Sequence, residues 1–185
     1  MKRIALTGGI GSGKSYVCAM LKKHGIEVYD CDAEAKRIMR SSEKVISSLK
    51  QLVGNNVYTE DGSLNKARMA EFILASQENA DKVNGIVHPA VAEDFIQSGI
   101  QWMECAILFE SGFDKYVDVK ICVTAPEEIR KERVMKRDGI SSEKALQWIH
   151  CQMSQEDVKK KSDYEIVNDG HSDIEKQIKE ILNII

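Results

Sequence analysis

The apolar residues of the chain alternate between short continuous runs and longer stretches with helical spacing. Residues 3–7 form a β-prone run, and apolar positions with helical spacing follow over 15–23. A second strand candidate covers 26–30 directly after Gly25, a residue type that suits the end of a helix because it tolerates positive φ. The start of the chain therefore predicts strand, loop, helix and strand.

The middle of the chain carries mostly helical patterns over 32–98. Asn, Asp and Gly cluster between Gly54 and Gly62, which predicts a break there. His88 and Pro89 predict a second break. We interpret the stretch as a helical segment attached to a sheet.

The remaining pattern returns to strands that alternate with helices. Strands are predicted at 103–109 and 118–123, and the first is apolar enough to be covered on both faces. Further elements are predicted as a helix over 127–137 that Pro126 opens and Gly139 ends, a helix at 142–152, a strand at 164–168 and a helix introduced by the Ser-x-x-Glu pattern at Ser172. This alternation predicts an α/β fold with a mostly parallel sheet flanked by helices.

Composition narrows the class of protein. A chain of 185 residues has the size of one domain. Its net charge of −3 argues against a broad nucleic-acid surface, which needs clustered Lys and Arg. The five cysteines contain no Cys-x-x-Cys pair, so we expect free thiols in a reducing cytoplasm. No segment has the pattern of a signal peptide or a membrane span, so we expect a soluble protein.

The segment GGIGSGKS at 8–15 matches the phosphate-binding pattern G-x-x-x-x-G-K-[ST]. It lies after a predicted strand and before a predicted helix, as the chemistry requires. Glycines allow consecutive N–H groups to face one anion, the helix N-terminus adds partial positive charge, Lys14 reaches the outer phosphates, and Ser15 would bind Mg²⁺. The loop therefore predicts a nucleoside-triphosphate binder.

Two carboxylates, Asp30 and Asp32, follow the second predicted strand. Ligands of open α/β sheets bind at the carboxyl ends of strands, so one or both aspartates are candidates for the site. Phosphoryl transfer to an alcohol needs a base, and Asp32 is the candidate. The alternative is that they end the strand and cap the next helix, and for Asp30 this alternative is equally weighted.

Three arginines, Arg130, Arg133 and Arg137, are spaced to share one helical face. Arg133 and Arg137 are candidates for stabilising the charge of a transferring phosphate. Arg130 is interpreted as part of a solvated basic face that neighbouring glutamates balance. By their positions, Thr7, His88 and Glu110 are further pocket candidates, and His88 is equally explained as a histidine at a helix end.

The acceptor is inferred from the chemistry of the candidate base. Nucleoside monophosphates attack with an oxygen that is already anionic, whereas an alcohol benefits from a carboxylate, so Asp32 favours a hydroxyl acceptor. The guanine-reading Asn/Thr-Lys-x-Asp segment is missing, so ATP is the expected donor. A shikimate-kinase-like enzyme is a rival, although no later Gly-Gly-Gly acceptor loop is present, and a nucleotide-dependent regulatory module is a second.

Several segments together resemble the dephospho-coenzyme A kinase family, and the resemblance spans nearly the whole chain. They are LTGGIGSGKS at 6–15, D-x-D-A at 30–33, His88 with Pro89, ILFESG at 107–112, RVMKRDGIS at 133–141 and DYEIVNDG at 163–170. The resemblance implies a P-loop kinase fold in one domain, with core 1–31, 99–136 and 162–185, a helical acceptor-binding part at 32–98 and a lid at 137–161.

The resemblance also implies a reaction, the ATP-dependent phosphorylation of the ribose 3′-hydroxyl of dephospho-coenzyme A with Mg²⁺. The implied partner is this small molecule, with no nucleic acid or membrane, in a monomer or weak homo-oligomer. The implied site consists of Asp32 as base with Lys14 and Arg137 as catalytic residues, the nucleotide-binding residues Gly9, Ile10, Gly11, Ser12, Gly13, Lys14, Ser15 and Tyr16, the substrate-binding residues Thr7, Asp32, His88 and Glu110, and Ser15 at the metal. The chain departs from the family's usual pattern at Tyr16, Ala106 and Gln155, which bears on the lid contacts.

Overall fold

In a computed structural model that describes residues 2–185, the chain divides into two units. One contains the residues up to Tyr29 together with Ile100–Ile185, and we call it the sheet unit. The other contains Asp30–Gly99, and we call it the helical unit. None of the helices over residues 2–185 combines the length and the apolar character needed to cross a bilayer.

A sheet of five strands forms the centre of the sheet unit over the described residues. The strands are β1 (Ile4–Thr7), β2 (Val28–Asp30), β3 (Trp102–Glu104), β4 (Val119–Thr124) and β5 (Tyr164–Val167). They lie in the order β2-β3-β1-β4-β5. β1 pairs in parallel with β3 and with β4, and β4 pairs in parallel with β5. The predicted α/β fold with a mostly parallel sheet is confirmed.

Nine α-helices lie within residues 2–185. They are α1 (Lys14–Lys23), α2 (Cys31–Ser41), α3 (Glu43–Val53), α4 (Lys66–Ala75), α5 (Gln77–Ser98), α6 (Glu127–Asp138), α7 (Ser142–His150), α8 (Gln155–Lys161) and α9 (Ile174–Leu182). Short 3₁₀ turns occupy Asn55–Val57 and Phe113–Tyr116. As predicted, Gly25 follows α1 with φ of +76° and Gly139 ends α6 with φ of +65°.

The core of the sheet unit joins β1 to the helix that follows the glycine-rich loop. Val17 and Leu21 of α1 and three isoleucines of α9 belong to one buried cluster with the side chains of Leu6 and Ile121. Each such side chain contributes about 1.5–3 kcal/mol when fully buried. The cluster thereby holds β1 and α1 in place, and with them the ends of the glycine-rich loop.

In the helical unit, α5 packs against α2, α3 and α4. The break predicted at His88 and Pro89 is wrong, because both lie inside the continuous helix α5. Pro89 cannot donate a hydrogen bond to the carbonyl of Gly85, four residues earlier, and its ring crowds that carbonyl. Packing of a buried stripe that includes Val87 and Phe95 maintains the helix across this defect.

Several other element boundaries differ from the predictions. β3 ends at Glu104, and the apolar residues after it form buried turns instead of a strand to 109. The side chain that caps α9 belongs to Asp173 and accepts from the N–H of Lys176, so Ser172 is not the cap. The short helix α8 and the breaks between the helices of the helical unit at Ser42 and Ser76 were not predicted.

Candidate functional site

The loop between β1 and α1 turns at glycines with positive φ. Gly11 has φ of +79° and Gly13 has φ of +95°, a region that residues with a Cβ rarely adopt. A Cβ at Gly11 would lie 2.6 Å from the backbone oxygen of Arg130, and one at Gly13 would overlap Nδ2 of Asn168. Glycine is therefore required at both positions for space as well as for conformation.

The same loop offers backbone donors at the start of a helix. Within residues 2–185, the N–H groups of Gly11 and Gly13 have no hydrogen-bond partner. Gly13 is also the N-cap of α1, so the positive end of the helix dipole, about half an elementary charge, lies beside them. Backbone donors, partial positive charge and the absence of side chains fit the phosphates of a nucleotide.

Lys14 lies back across the start of this loop. Its Nζ donates to the Gly8 carbonyl at 2.8 Å and lies 3.7 Å from Oε1 of Glu104. Ser15 and Tyr16, the next two residues of α1, are exposed. The lysine is thus held near the loop by an acceptor and a carboxylate, while the hydroxyl of Ser15 remains accessible to a ligand or a metal ion.

The outer side of the loop is held by side chains from distant parts of the sheet unit. Three consecutive carbonyl groups accept hydrogen bonds there. The bonds run from Nε of Arg130 to Ile10 at 2.9 Å, from Nη1 of Arg133 to Gly11 and Ser12 at 3.3 Å each, and from Nδ2 of Asn168 to Ser12 at 2.9 Å. Arg133 also donates to the backbone oxygen of Asn168 at 3.1 Å. Two helix residues and one residue after β5 therefore support the loop.

The interpretation of Arg130 as part of a solvated face is wrong. Its side chain lies behind the loop, and the residue is only 5% exposed. Burial lowers the pKa of its guanidinium. Helical spacing identified the face that Arg130 shares with Arg133, but only the tertiary contact with the loop determines that this part of the face is buried.

A segment between α7 and α8 also contacts the loop. The N–H of Ile10 donates to Oε1 of Gln152 at 2.7 Å. The N–H of Met153 donates to Oε1 of Glu110 at 3.1 Å, so this predicted pocket residue holds the same segment. Thr7, another predicted pocket residue, is buried as the last residue of β1.

Two departures from the family's pattern have defined surroundings. Oε1 of Gln155, the first residue of α8, accepts the N–H of Ala125 at 3.0 Å. Ala106 lies half-buried in the turns after β3. Gln155 therefore anchors α8 to the end of β4 in this structure.

The two candidate aspartates have different surroundings in the helical unit. Asp30 is the N-cap of α2, and its Oδ1 accepts the N–H of Ala33 at 2.9 Å. This supports the capping interpretation of Asp30. Asp32 lies exposed in the first turn of α2 and has no hydrogen bond or ion pair to any of residues 2–185.

His88 and Arg137 were predicted from position and spacing. His88 is half-buried in α5, and burial lowers the pKa of its imidazole, which favours the neutral ring. Arg137 lies exposed in the last turn of α6, and its Nη2 donates to Oδ2 of Asp138 at 2.7 Å. This hydrogen bond raises the pKa of Arg137 and lowers that of Asp138.

The structure gathers Lys14 and Ser15 with Arg133 around the phosphate loop, whereas Asp32 and His88 belong to the helical unit. Sequence reasoning missed four residues that contact the loop or its lysine: Glu104, Arg130, Gln152 and Asn168. Glu104 ends β3 and Asn168 follows β5, so the rule that sites form at the carboxyl ends of parallel strands was a usable signal for both. No local pattern indicated that the side chains of Arg130 and Gln152 contact the loop.

Comparison with known proteins gives matches in both sequence and structure. Residues 2–173 match the family model described as dephospho-CoA kinase. The dephospho-CoA kinase of Bacteroides fragilis is 41% identical over 97% of this chain and 91% of its own length. A solved structure from Thermus thermophilus covers 100% of this chain and 97% of its own, with a TM-score of 0.85 and 30% identity. The dephospho-CoA kinase from Campylobacter jejuni shares the fold at a TM-score of 0.70 and 21% identity, covering 98% of this chain and 96% of its own. The chain belongs to the dephospho-CoA kinase family.

Proposed function

We propose that this kinase transfers the γ-phosphate of ATP to the ribose 3′-hydroxyl of dephospho-CoA and so makes coenzyme A, the last step of its biosynthesis. The observation that carries the proposal is the loop Gly8–Ser15, whose glycines leave backbone donors at a helix N-terminus in a chain of this family. Such a loop takes the phosphates of the donor, and family membership supports the choice of acceptor.

The donor side of the proposed site uses the loop and the start of α1. The segment Gly9–Tyr16 would hold the phosphates, with the N–H groups of Gly11 and Gly13, unpartnered within residues 2–185, as donors, and Lys14 would exchange its present acceptors for phosphate oxygens. Ser15 would hold Mg²⁺ through its hydroxyl, because Mg²⁺ prefers oxygen ligands and usually keeps several waters. When bound, the ion would neutralise charge on the phosphates.

The acceptor side uses Asp32 as the base. As the hydroxyl oxygen bonds to the γ-phosphorus and ADP leaves, the hydroxyl proton passes to the carboxylate of Asp32. The absence of an intramolecular partner leaves this carboxylate available. Thr7, His88 and Glu110 are proposed to bind the substrate.

The helical part 32–98 is proposed to bind the acceptor. A groove of about 640 Å³ lies within it, between α2, α3 and α5. Its lining combines apolar Ile38 and Ile86 with Lys44, whereas Arg37 is paired there with the acidic Asp94. The apolar residues and Lys44 suit a long acceptor with both apolar and anionic groups.

The remaining segments complete the proposed enzyme, with core 1–31, 99–136 and 162–185 and a lid at 137–161. Arg137 is proposed to stabilise the transferring phosphate from the lid. Its pairing with Asp138 is at the surface, where solvent screening leaves such pairs weak, so phosphate can replace Asp138 at little cost. Closure over the nucleotide would exclude water from the reaction.

The setting we propose is the cytoplasm, with small molecules as partners, no nucleic acid or membrane, and a monomer or weak homo-oligomer as the working form. The free cysteines and the net charge of −3 support it.

The test is an assay with ATP, Mg²⁺ and dephospho-CoA that follows new coenzyme A by mass and separates the 3′-phosphate from its 2′ isomer by chromatography. Shikimate and nucleoside monophosphates serve as competing acceptors, and ATP binding is measured separately by calorimetry. We expect transfer to the 3′-hydroxyl of dephospho-CoA alone.

Two results would contradict the proposal in different ways. ATP binding without transfer to dephospho-CoA would retain the phosphate loop and overturn the acceptor. Failure to bind ATP would overturn the assignment of the loop itself.

A further inference from the structure

Arg130 is the one charged residue among the buried polar residues that the structure describes. Within residues 2–185 it forms no ion pair, and its side chain makes one hydrogen bond, from Nε to the carbonyl of Ile10. Glu127, one turn earlier in α6, attracts the guanidinium only at longer range and pairs with His150. Arginine stays protonated in proteins, so a buried positive charge lies behind the loop without a paired carboxylate.

Such a charge is unfavourable in the isolated chain. Burial of an ionised group costs several kcal/mol unless paired charges and hydrogen bonds compensate for it. A single carbonyl provides partial compensation. A residue of this kind is expected where the charge serves a function, and the adjacent element is the phosphate loop.

The guanidinium packs closely against Gly9. A Cβ at this position would overlap Nη2 of Arg130 and lie 2.9 Å from its Cζ, and the φ of Gly9 is outside the positive range. Alanine is thus compatible with the backbone at Gly9. The obstacle to it is the side chain of Arg130.

The hydrogen bond to Ile10 also determines the direction of a donor. In a planar trans peptide, the carbonyl of one residue and the N–H of the next point in opposite directions. Because Arg130 holds the Ile10 carbonyl on the outer side of the loop, the N–H of Gly11 is turned to the inner side. That N–H has no hydrogen-bond partner within residues 2–185.

We propose that Arg130 is a positioning residue for the nucleotide, which fixes the peptide between Ile10 and Gly11 and places a permanent positive charge behind the phosphates. It acts through the loop and touches no substrate atom. The inference rests on the proposed function, because it requires this loop to bind ATP.

The first test compares Arg130→Met with Lys136→Met, which removes the same charge from an exposed position of the same helix. We expect the Kd for ATP to rise about tenfold or more in Arg130→Met, since hydrogen bonds to charged groups are worth about that factor or more. The KM for dephospho-CoA should stay within about twofold. Arg130→Lys retains the charge, so its Kd for ATP should lie between those of the unaltered chain and of Arg130→Met. Lys136→Met should bind ATP as the unaltered chain does.

A double-mutant cycle with Gly9→Ala gives a second readout. Alone, Gly9→Ala should weaken ATP binding because its methyl group displaces the guanidinium. In an Arg130→Ala background, the same change should add no further loss. Equal, additive losses in both backgrounds would overturn the coupling.

Thermal unfolding of each variant separates positioning from a merely structural role. If Arg130→Met and Gly9→Ala lower Tm but bind ATP with an unchanged Kd, the inference is overturned while the proposed function stands. If the unaltered chain binds no ATP, both are overturned. If Arg130→Met does not fold, Arg130→Lys and Gly9→Ala decide by the same Kd measurement.

Discussion

The phosphate loop and the two proposed catalytic side chains outside it are held in different ways. Around the loop, α6 and the residue after β5 donate to three consecutive carbonyl groups, and the contacts join positions more than a hundred residues apart. Asp32 has no partner within the described residues, and Arg137 pairs with the adjacent Asp138. The donor side is pre-organised by the fold, whereas the side chains proposed for the base and the lid are free to reorient.

This difference determines when each side chain is ordered: during folding for the groups around the loop, and during substrate binding for an exposed side chain. Pre-organised donors stabilise a transition state without rearranging during the reaction. Ordering an exposed arginine costs about 1.5–2 kcal/mol of side-chain entropy. In the proposed role of Arg137, that cost would be met only when the substrates bind and the lid closes.

The largest expected effect is that of Asp32→Asn. The change keeps the shape and removes the base, so we expect kcat to fall about 10²- to 10⁴-fold with the Kd for ATP unchanged. Single-turnover transfer and calorimetry measure the two quantities. Retained turnover would make Asp32 structural and assign the proton to another group.

Lys14→Ala probes the pre-organised side of the comparison. Loss of one charged contact to the phosphates should reduce kcat/KM by on the order of 3 kcal/mol of transition-state stabilisation. Steady-state kinetics with varied ATP measure it, and Lys136→Ala is the matched surface control. Near-normal activity in Lys14→Ala would contradict the assignment of the loop.

The smallest effect separates the two aspartates. Asp30→Ala removes the N-cap of α2 and should cost about 1 kcal/mol of the free energy of unfolding, which urea denaturation measures. Its kcat per folded molecule should stay within about twofold. A large fall in kcat with unchanged stability would show that Asp30 acts in the reaction and that the capping interpretation is incomplete.

The parts of the fold that sequence predicted are those encoded by neighbouring residues. Glycine, lysine and serine at fixed spacing identify the loop 8–15. Local periodicity predicts β1, α1, α6 and β5. The apolar run at 103–109 led to a wrong strand prediction, because Cys105 and Leu108 are as buried in turns as they would be in a strand. Apolar character indicates that a segment is buried, but it does not distinguish a buried strand from buried turns.

Other failures arose where tertiary packing outweighed a local preference. Pro89 disfavours helix continuation, but the buried face of α5 packs against three helices and keeps the element intact. Arg130 lies among glutamates that suggest solvent, but the loop packed over it lies 120 positions earlier in the chain. Such a contact is a property of the assembled sheet, and no window of sequence contains both partners.

The hydrogen bond between Asn168 and Ser12 spans 156 positions, so the loop and its support are made at different times during translation. During translation the glycine-rich segment leaves the ribosome early, whereas the amide that closes its outer side is added only after β5. A growing chain that has reached α8 already carries Lys14 and lacks this support. The support that Asn168 gives the loop is therefore available only after the last strand has been added.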